Sequence, residues 1–248
     1  MKCVLADLDG TFLGEFKPDA RVSRVLGRYG DRLLVAEESV PAINEVKKPE
    51  GELLDIVWTL KLMTGEGRVE TTALAFPTKW FGKRLPGAFI ADHVTFLHCA
   101  PLENGLVAVA HEDAYAVKIA DPGRNAAVRT IRREYRRVKY VPEEKPDQPG
   151  AARGLAFPLD HFNDIQKLYS VEGRIWAVTS TFDPAKGVLV DVISPQGEYL
   201  DSFYLPLPKG VSLQRLVRHP LTISGRTLLT SEILDDGRIE VVKYEILD

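Results

Sequence analysis

The chain has 248 residues, 45% hydrophobic and 27% charged, enough to bury one substantial core. Its 32 Lys and Arg against 35 Asp and Glu give a net charge of -3, without the basic excess of a dedicated nucleic-acid binder. Two cysteines, Cys3 and Cys99, are too few for a disulfide scaffold or a Cys-based zinc site, and no apolar run approaches the roughly 20 residues that span a bilayer.

In chain order, Val4 to Phe16 reads as a hairpin, two β-rich runs joined by a turn at Asp9-Gly10. Gly30 then opens a largely apolar run, Arg32 to Ala36, and Pro49-Glu50-Gly51 marks the next turn. Residues 62–91, with Pro77, Trp80, Phe81 and Pro86, read as a worn blade or a long loop. Gly105 precedes the apolar run Leu106 to Ala110, and Asp121-Pro122-Gly123 makes the following turn. Residues 134–160 are dense in Pro and predict an exposed excursion, because proline cannot donate to a central ladder. Gly173, Gly197, Gly225 and Gly237 then repeat the alternation to the C-terminus.

Two turn classes therefore alternate. Gly30, Gly105, Gly173 and Gly225 each precede a continuously apolar run, which suits an inner strand covered on both faces. Gly10, Gly51, Gly123, Gly197 and Gly237 sit between mixed runs, which suit outer strands, and lie 41, 72, 74 and 40 residues apart. The shorter spacings match one blade of about 40–45 residues, and the longer ones admit a further blade or an insertion. The expectation is an all-β protein: a β-propeller of five or six blades, mostly of four antiparallel strands, in a single domain over residues 1–248. Residues 1–16 form an outer hairpin with no inner hairpin before it, so the ring is expected to be incomplete there.

Residues Ala120-Asp121-Pro122-Gly123 through Ile131-Arg132-Arg133-Glu134-Tyr135, Gly173-Arg174-Ile175-Trp176 and Ser194-Pro195-Gln196-Gly197-Glu198-Tyr199-Leu200 resemble the bacterial six-bladed β-propellers related to the NHL-repeat group. The resemblance implies fold rather than chemistry. Its members are often exported and mostly lack an assigned activity, which implies ligand or partner binding. This chain shows no leader of basic, apolar and small residues, so as it stands the expectation is cytoplasmic.

Cys3 to Thr11, with Asp7-Leu8-Asp9-Gly10-Thr11, resembles the first motif of haloacid-dehalogenase-type phosphatases. That resemblance implies Asp7 as nucleophile, Asp9 as general acid and a bound Mg2+. The later Lys and the acidic pair closing a strand do not follow, since Asp235-Asp236 runs into a hairpin. The Asp9-Gly10 turn is the reading we take.

The histidines, His93, His98, His111, His161 and His219, are scattered and complete no zinc spacing, so neither a metal nor another cofactor is expected. Arg132, Arg133, Arg136 and Arg137 form the densest cationic run, either gripping an anionic ligand or lining an outer strand in water. Together with Trp80 and Phe81 they are the candidate contact residues. The expected function is a non-catalytic binding or scaffold module for a protein, peptide or glycan, with no nucleic-acid partner and no membrane span.

Overall fold

The computed structural model describes residues 3–6, 12–18, 22–40, 43–48, 50–85, 88–103, 105–141, 159–207, 211–217, 219, 221–233 and 238–246. These hold eighteen strands, the 3-10 turn Ile43–Glu45 and one short helix, α1 (Leu213–Leu216). None of their helices is long and apolar enough to cross a membrane.

Every strand pair is antiparallel and joins neighbours in sequence. β1 (Cys3–Ala6) and β2 (Phe12–Phe16) form a two-stranded hairpin. The first large sheet has five strands: β3 (Arg24–Tyr29), β4 (Arg32–Ser39), β5 (Glu52–Met63), β6 (Val69–Leu85) and β7 (Ala88–His93). The second comprises β8 (His98–Pro101), β9 (Val107–Ala110), β10 (Ala116–Asp121) and β11 (Ala126–Arg132). The third comprises β12 (Ile165–Val171), β13 (Arg174–Asp183), β14 (Gly187–Ile193) and β15 (Tyr199–Leu205). The fourth has three strands, β16 (Leu221–Ser224), β17 (Thr227–Ile233) and β18 (Ile239–Glu245).

The first strands of these sheets, β3, β8, β12 and β16, are successive neighbours, and later strands step outward. Burial follows the same direction. β9 is buried throughout and β10 mostly so, whereas β11 is almost wholly exposed; in the third sheet β14 is mostly buried and β15, outside it, is exposed or half-buried. Sheets radiating from a shared inner edge are the blades of a β-propeller.

The core lies between blades. Leu34, Trp58, Leu60 and Phe76 of the first sheet meet Val107, Val109 and Ala120 of the second. From the other face of the same strand, Ala108 and Ala110 meet Ile165, Leu168, Ile175 and Ile193 of the third. A strand buried on both faces must be apolar at consecutive positions, and Val107-Ala108-Val109-Ala110 is that pattern. Tyr169, Val171, Val178 and Val190 continue the core against Leu216, Leu221 and Leu228.

The inner turns match expectation. Gly30, Gly105, Gly173 and Gly225 connect the first and second strands of the four sheets, all at φ between 54 and 76°. Gly123 and Gly197 turn between the third and fourth strands, also as expected.

Several expectations need correction. The described residues form four sheets of three or more strands plus the β1–β2 hairpin, not five or six blades. One long glycine spacing is taken up by β5 and β6, strands of 12 and 17 residues, and by the extra strand β7. Residues 62–91 are therefore mainly sheet, rather than a loop or a separate worn blade. Pro77 is tolerated in β6 because β7 pairs with β6 only from Trp80 onward, leaving Pro77 at an edge. Gly51 does not turn between two outer strands; it leads into β5, and the β5–β6 turn is Thr64 to Gly67. The second long spacing contains residues 134–160, of which 142–158 lie outside the described residues. On either side of these, Lys139 bridges His161.

Candidate functional site

A cleft of about 890 Å³ opens between the first and second sheets, where the segment after β11 and residues 159–163 come together. Its walls come from β5 and β6 (Asp55, Thr78, Lys79), the β9–β10 connection (His111, Glu112, Asp113), Lys118 and Arg137. Strand alternation sets their burial: Thr78 turns into the buried side of β6 while Pro77 and Lys79 are exposed.

Two polar atoms on the cleft's lining residues are buried without a hydrogen-bond partner: Thr78 Oγ1 and Asn163 Oδ1. Thr78 is 2% exposed and Asn163 8%. The Asn163 amide donates to Val94 O at 3.0 Å, which fixes the side chain while its carbonyl oxygen stays unbonded. Unpartnered buried polar atoms are costly, so a ligand polar group that reaches either of them is favoured.

The rim carries both charges. Lys79 pairs with Asp55, Lys118 with Glu112 at 2.9 Å, and Arg137 with Asp113 at 3.0 Å. His111 Nδ1 donates to Pro77 O at 2.7 Å, which leaves Nε2 to accept from Lys118 Nζ at 2.7 Å. That tautomer is a neutral imidazole. Burial, with the adjacent Lys118 charge, holds His111 below the ordinary histidine range despite the Pro77 and Glu112 contacts. Burial raises Glu112, yet its bond to Lys118 and the Lys118 and Arg132 charges prevail and leave it below the usual carboxylate range.

The sequence-predicted contact residues are dispersed around this cleft. Arg137 lines it, also reaching Asp164 Oδ1 at 3.5 Å. Arg132 approaches from outside, 3.3 Å from Glu112. Arg136 is exposed. Arg133 turns inward to Asp191 at 2.8 Å, with its guanidinium over the rings of Tyr115 and Tyr135. Trp80 and Phe81 lie on β6 rather than in a loop, and Phe81 packs beneath Gly51. Lys79, next to them, is the β6 residue that reaches the rim. Thr78 and Asn163 escaped sequence reading, since isolated Thr and Asn residues carry no spacing signal.

Asp7 and Asp9 lie outside the described residues. The flanking strands pair antiparallel, Ala6 with Phe12 and Cys3 with Phe16, which is a hairpin. Among the described residues no strands pair in parallel and no helix exceeds four residues, so the βα alternation required by the phosphatase reading is not found there. No three His, Cys, Asp or Glu side chains among them converge as a metal site.

No protein-family model and no curated protein matches the chain. Among solved structures it is similar to Hsv2 of Kluyveromyces marxianus, at 10% identity over 98% of this chain and 78% of that one, with a TM-score of 0.36. Hsv2 of Kluyveromyces lactis is similar at 11% identity over 97% and 79%, with a TM-score of 0.35. A form of the latter with loop 6CD replaced by a Gly-Ser linker gives 12% over 97% and 77%, with a TM-score of 0.37.

Proposed function

We propose that the protein is a non-catalytic binding module that seats an extended peptide segment of a partner protein in the cleft between its first two sheets. The observation that carries this reading is the pair of buried, unpartnered polar atoms there, Thr78 Oγ1 and Asn163 Oδ1. An extended peptide presents N–H and C=O groups along its length, which suits a hydroxyl that donates or accepts and an amide oxygen that accepts. Rim pairs of both signs suit peptide side chains of either charge and disfavour a uniformly anionic nucleic-acid backbone. A glycan is the weaker candidate because, among the described residues, no Phe, Tyr or Trp ring lines the cleft to stack against a sugar face. Arg137 contacts the ligand directly, Arg132 acts through Glu112, and Arg136 is free to reach a partner's flank.

The test is isothermal titration of peptides selected from a random displayed library on the immobilised protein. Thr78→Val keeps the shape and removes the hydroxyl, so peptide binding is expected to weaken about tenfold, or about 1.4 kcal/mol. Selected peptides that bind Thr78→Val and Arg137→Gln as tightly as the parent would overturn the assignment to this cleft.

A further inference from the structure

Away from the cleft, one basic side chain from each of the four large sheets gathers at one end of the propeller axis. Arg24 opens β3, His98 opens β8, Lys167 lies near the start of β12, and His219 stands two residues before β16. These residues precede the inner-turn glycines Gly30, Gly105, Gly173 and Gly225 by six, seven, six and six positions, so they occupy equivalent places in the repeat. Because the innermost strands all begin at the same end of their blades, equivalent places share one axial level.

The contacts agree. Arg24 Nη1 reaches Leu97 O at 3.5 Å, next to His98, and its guanidinium lies 4.8 Å from the centre of the Trp58 ring. The His98 ring stacks on Phe96 with centroids 6.2 Å apart. A bulge at Gln166 shifts the register of β12 just before Lys167, and Lys167 is half-buried without a carboxylate pair among the described residues. His219 Nε2 is already bonded to Thr230 Oγ1 at 2.8 Å. His98 Nε2, by contrast, is buried with no partner.

We propose that this end of the axis binds a small oxyanion of the phosphate type, held between Arg24 and Lys167 with His98 Nε2–H as a further donor. Arg24 and Lys167 are two cations whose charges act on each other and on His98, with no carboxylate pair among the described residues, and the orphaned ring nitrogen of His98 is, as its Nε2–H tautomer, an unfilled donor. A tetrahedral oxyanion answers both: it offers a charge to each cation and an acceptor to the imidazole. The electrostatics point the same way. Burial, then the Lys167 and Arg24 charges, brings His98 down to about 3, while burial and Arg24 lower Lys167 to about 8. No carboxylate among the described residues counters either shift.

This site is independent of the peptide cleft and is tested separately, on the full chain, by calorimetric melting with inorganic phosphate against chloride at equal ionic strength. The expected result is a melting temperature that rises with phosphate and not with chloride. The apparent phosphate affinity should drop at least tenfold in Lys167→Met, and likewise in Arg24→Gln, whose more exposed position serves should the Met variant not fold. A parallel arm uses glycerol 3-phosphate: a response to it assigns the terminal phosphate of a larger molecule, and a response to inorganic phosphate alone assigns the free anion. An unresponsive parent protein, or a variant that responds as the parent does, overturns the proposal.

Discussion

Arg133 Nη1 and the Tyr115 hydroxyl meet on a single oxygen of Asp191, each 2.8 Å from Oδ2. Asp191 is on β14, Tyr115 precedes β10 and Arg133 follows β11, so this one buried carboxylate fastens the second sheet to the third. Burial and the Asp191 charge raise the Tyr115 hydroxyl above the usual phenol range, which keeps it protonated and donating.

Removing the cation leaves that carboxylate buried and unpaired. Breaking a buried pair costs about 3–5 kcal/mol, but the Arg133 side chain is 38% exposed, so water softens the loss. Arg133→Met is expected to lower stability by about 2–3 kcal/mol in urea unfolding. Arg136→Met, at an exposed position, should stay within about 0.5 kcal/mol.

Glycine positions separate turn geometry from close approach. At Gly187, with φ of 106°, a β-carbon would overlap the Leu205 carbonyl, and at Gly51, with φ of 99°, it would overlap the Phe81 ring. Gly187→Ala should lower the melting temperature most, because the obstacle is backbone. Gly30→Ala meets nothing within 4 Å and should cost only the positive-φ penalty, about 1 kcal/mol. Gly65→Ala, in the open β5–β6 turn, is expected to be neutral or slightly stabilising.

Much of this was legible beforehand. The four inner turns and the continuously apolar β9 follow from glycine and hydrophobic patterning alone, because hairpin turns and doubly covered strands impose local rules. The number of blades was not legible: β5 and β6 are far longer than a typical strand, and no local signal distinguishes a long strand from two short ones around a degenerate turn. The arginine run was visible as charge, but Arg133 finds its carboxylate 58 residues away, a pairing set by blade packing. The axial basic residues recur ahead of each inner glycine, yet they mix Arg, Lys and His. Recognition therefore requires the repeat frame first.

Stability should fall in acid with a definite sign. His98, His111 and His219 are all held below the ordinary value near 6.5, in each case chiefly by burial. Between that value and their folded values the unfolded chain binds more protons, so stability is full above about pH 6.5 and declines as pH falls. For His98 the window extends to about 3. Urea midpoints measured from pH 7.5 to 4.5 should decrease steadily, and His98→Phe should flatten the slope.

Cys99 offers a probe of opening. Burial pushes its thiol up to about 12, against a smaller opposing pull from Arg24, so little thiolate exists near neutral pH. Iodoacetamide at pH 8 is expected to label the Cys99 peptide slowly in the native protein and rapidly in urea, as read by mass spectrometry. Equal rates would show that the inner edge of the second sheet is open to reagent.

The strictly sequential strand order also bears on how the molecule assembles. Since each strand bonds only to its chain neighbours, every sheet can zip up from its own turns after short loop closures, on the microsecond scale typical of hairpins. What these closures leave undone is the docking of β3, β8, β12 and β16 along their common edge, which joins segments dozens of residues apart. The rate of reaching the native state is thereby set by sheets colliding in the right order, and lengthening a connection between sheets should slow folding more than lengthening a turn within one.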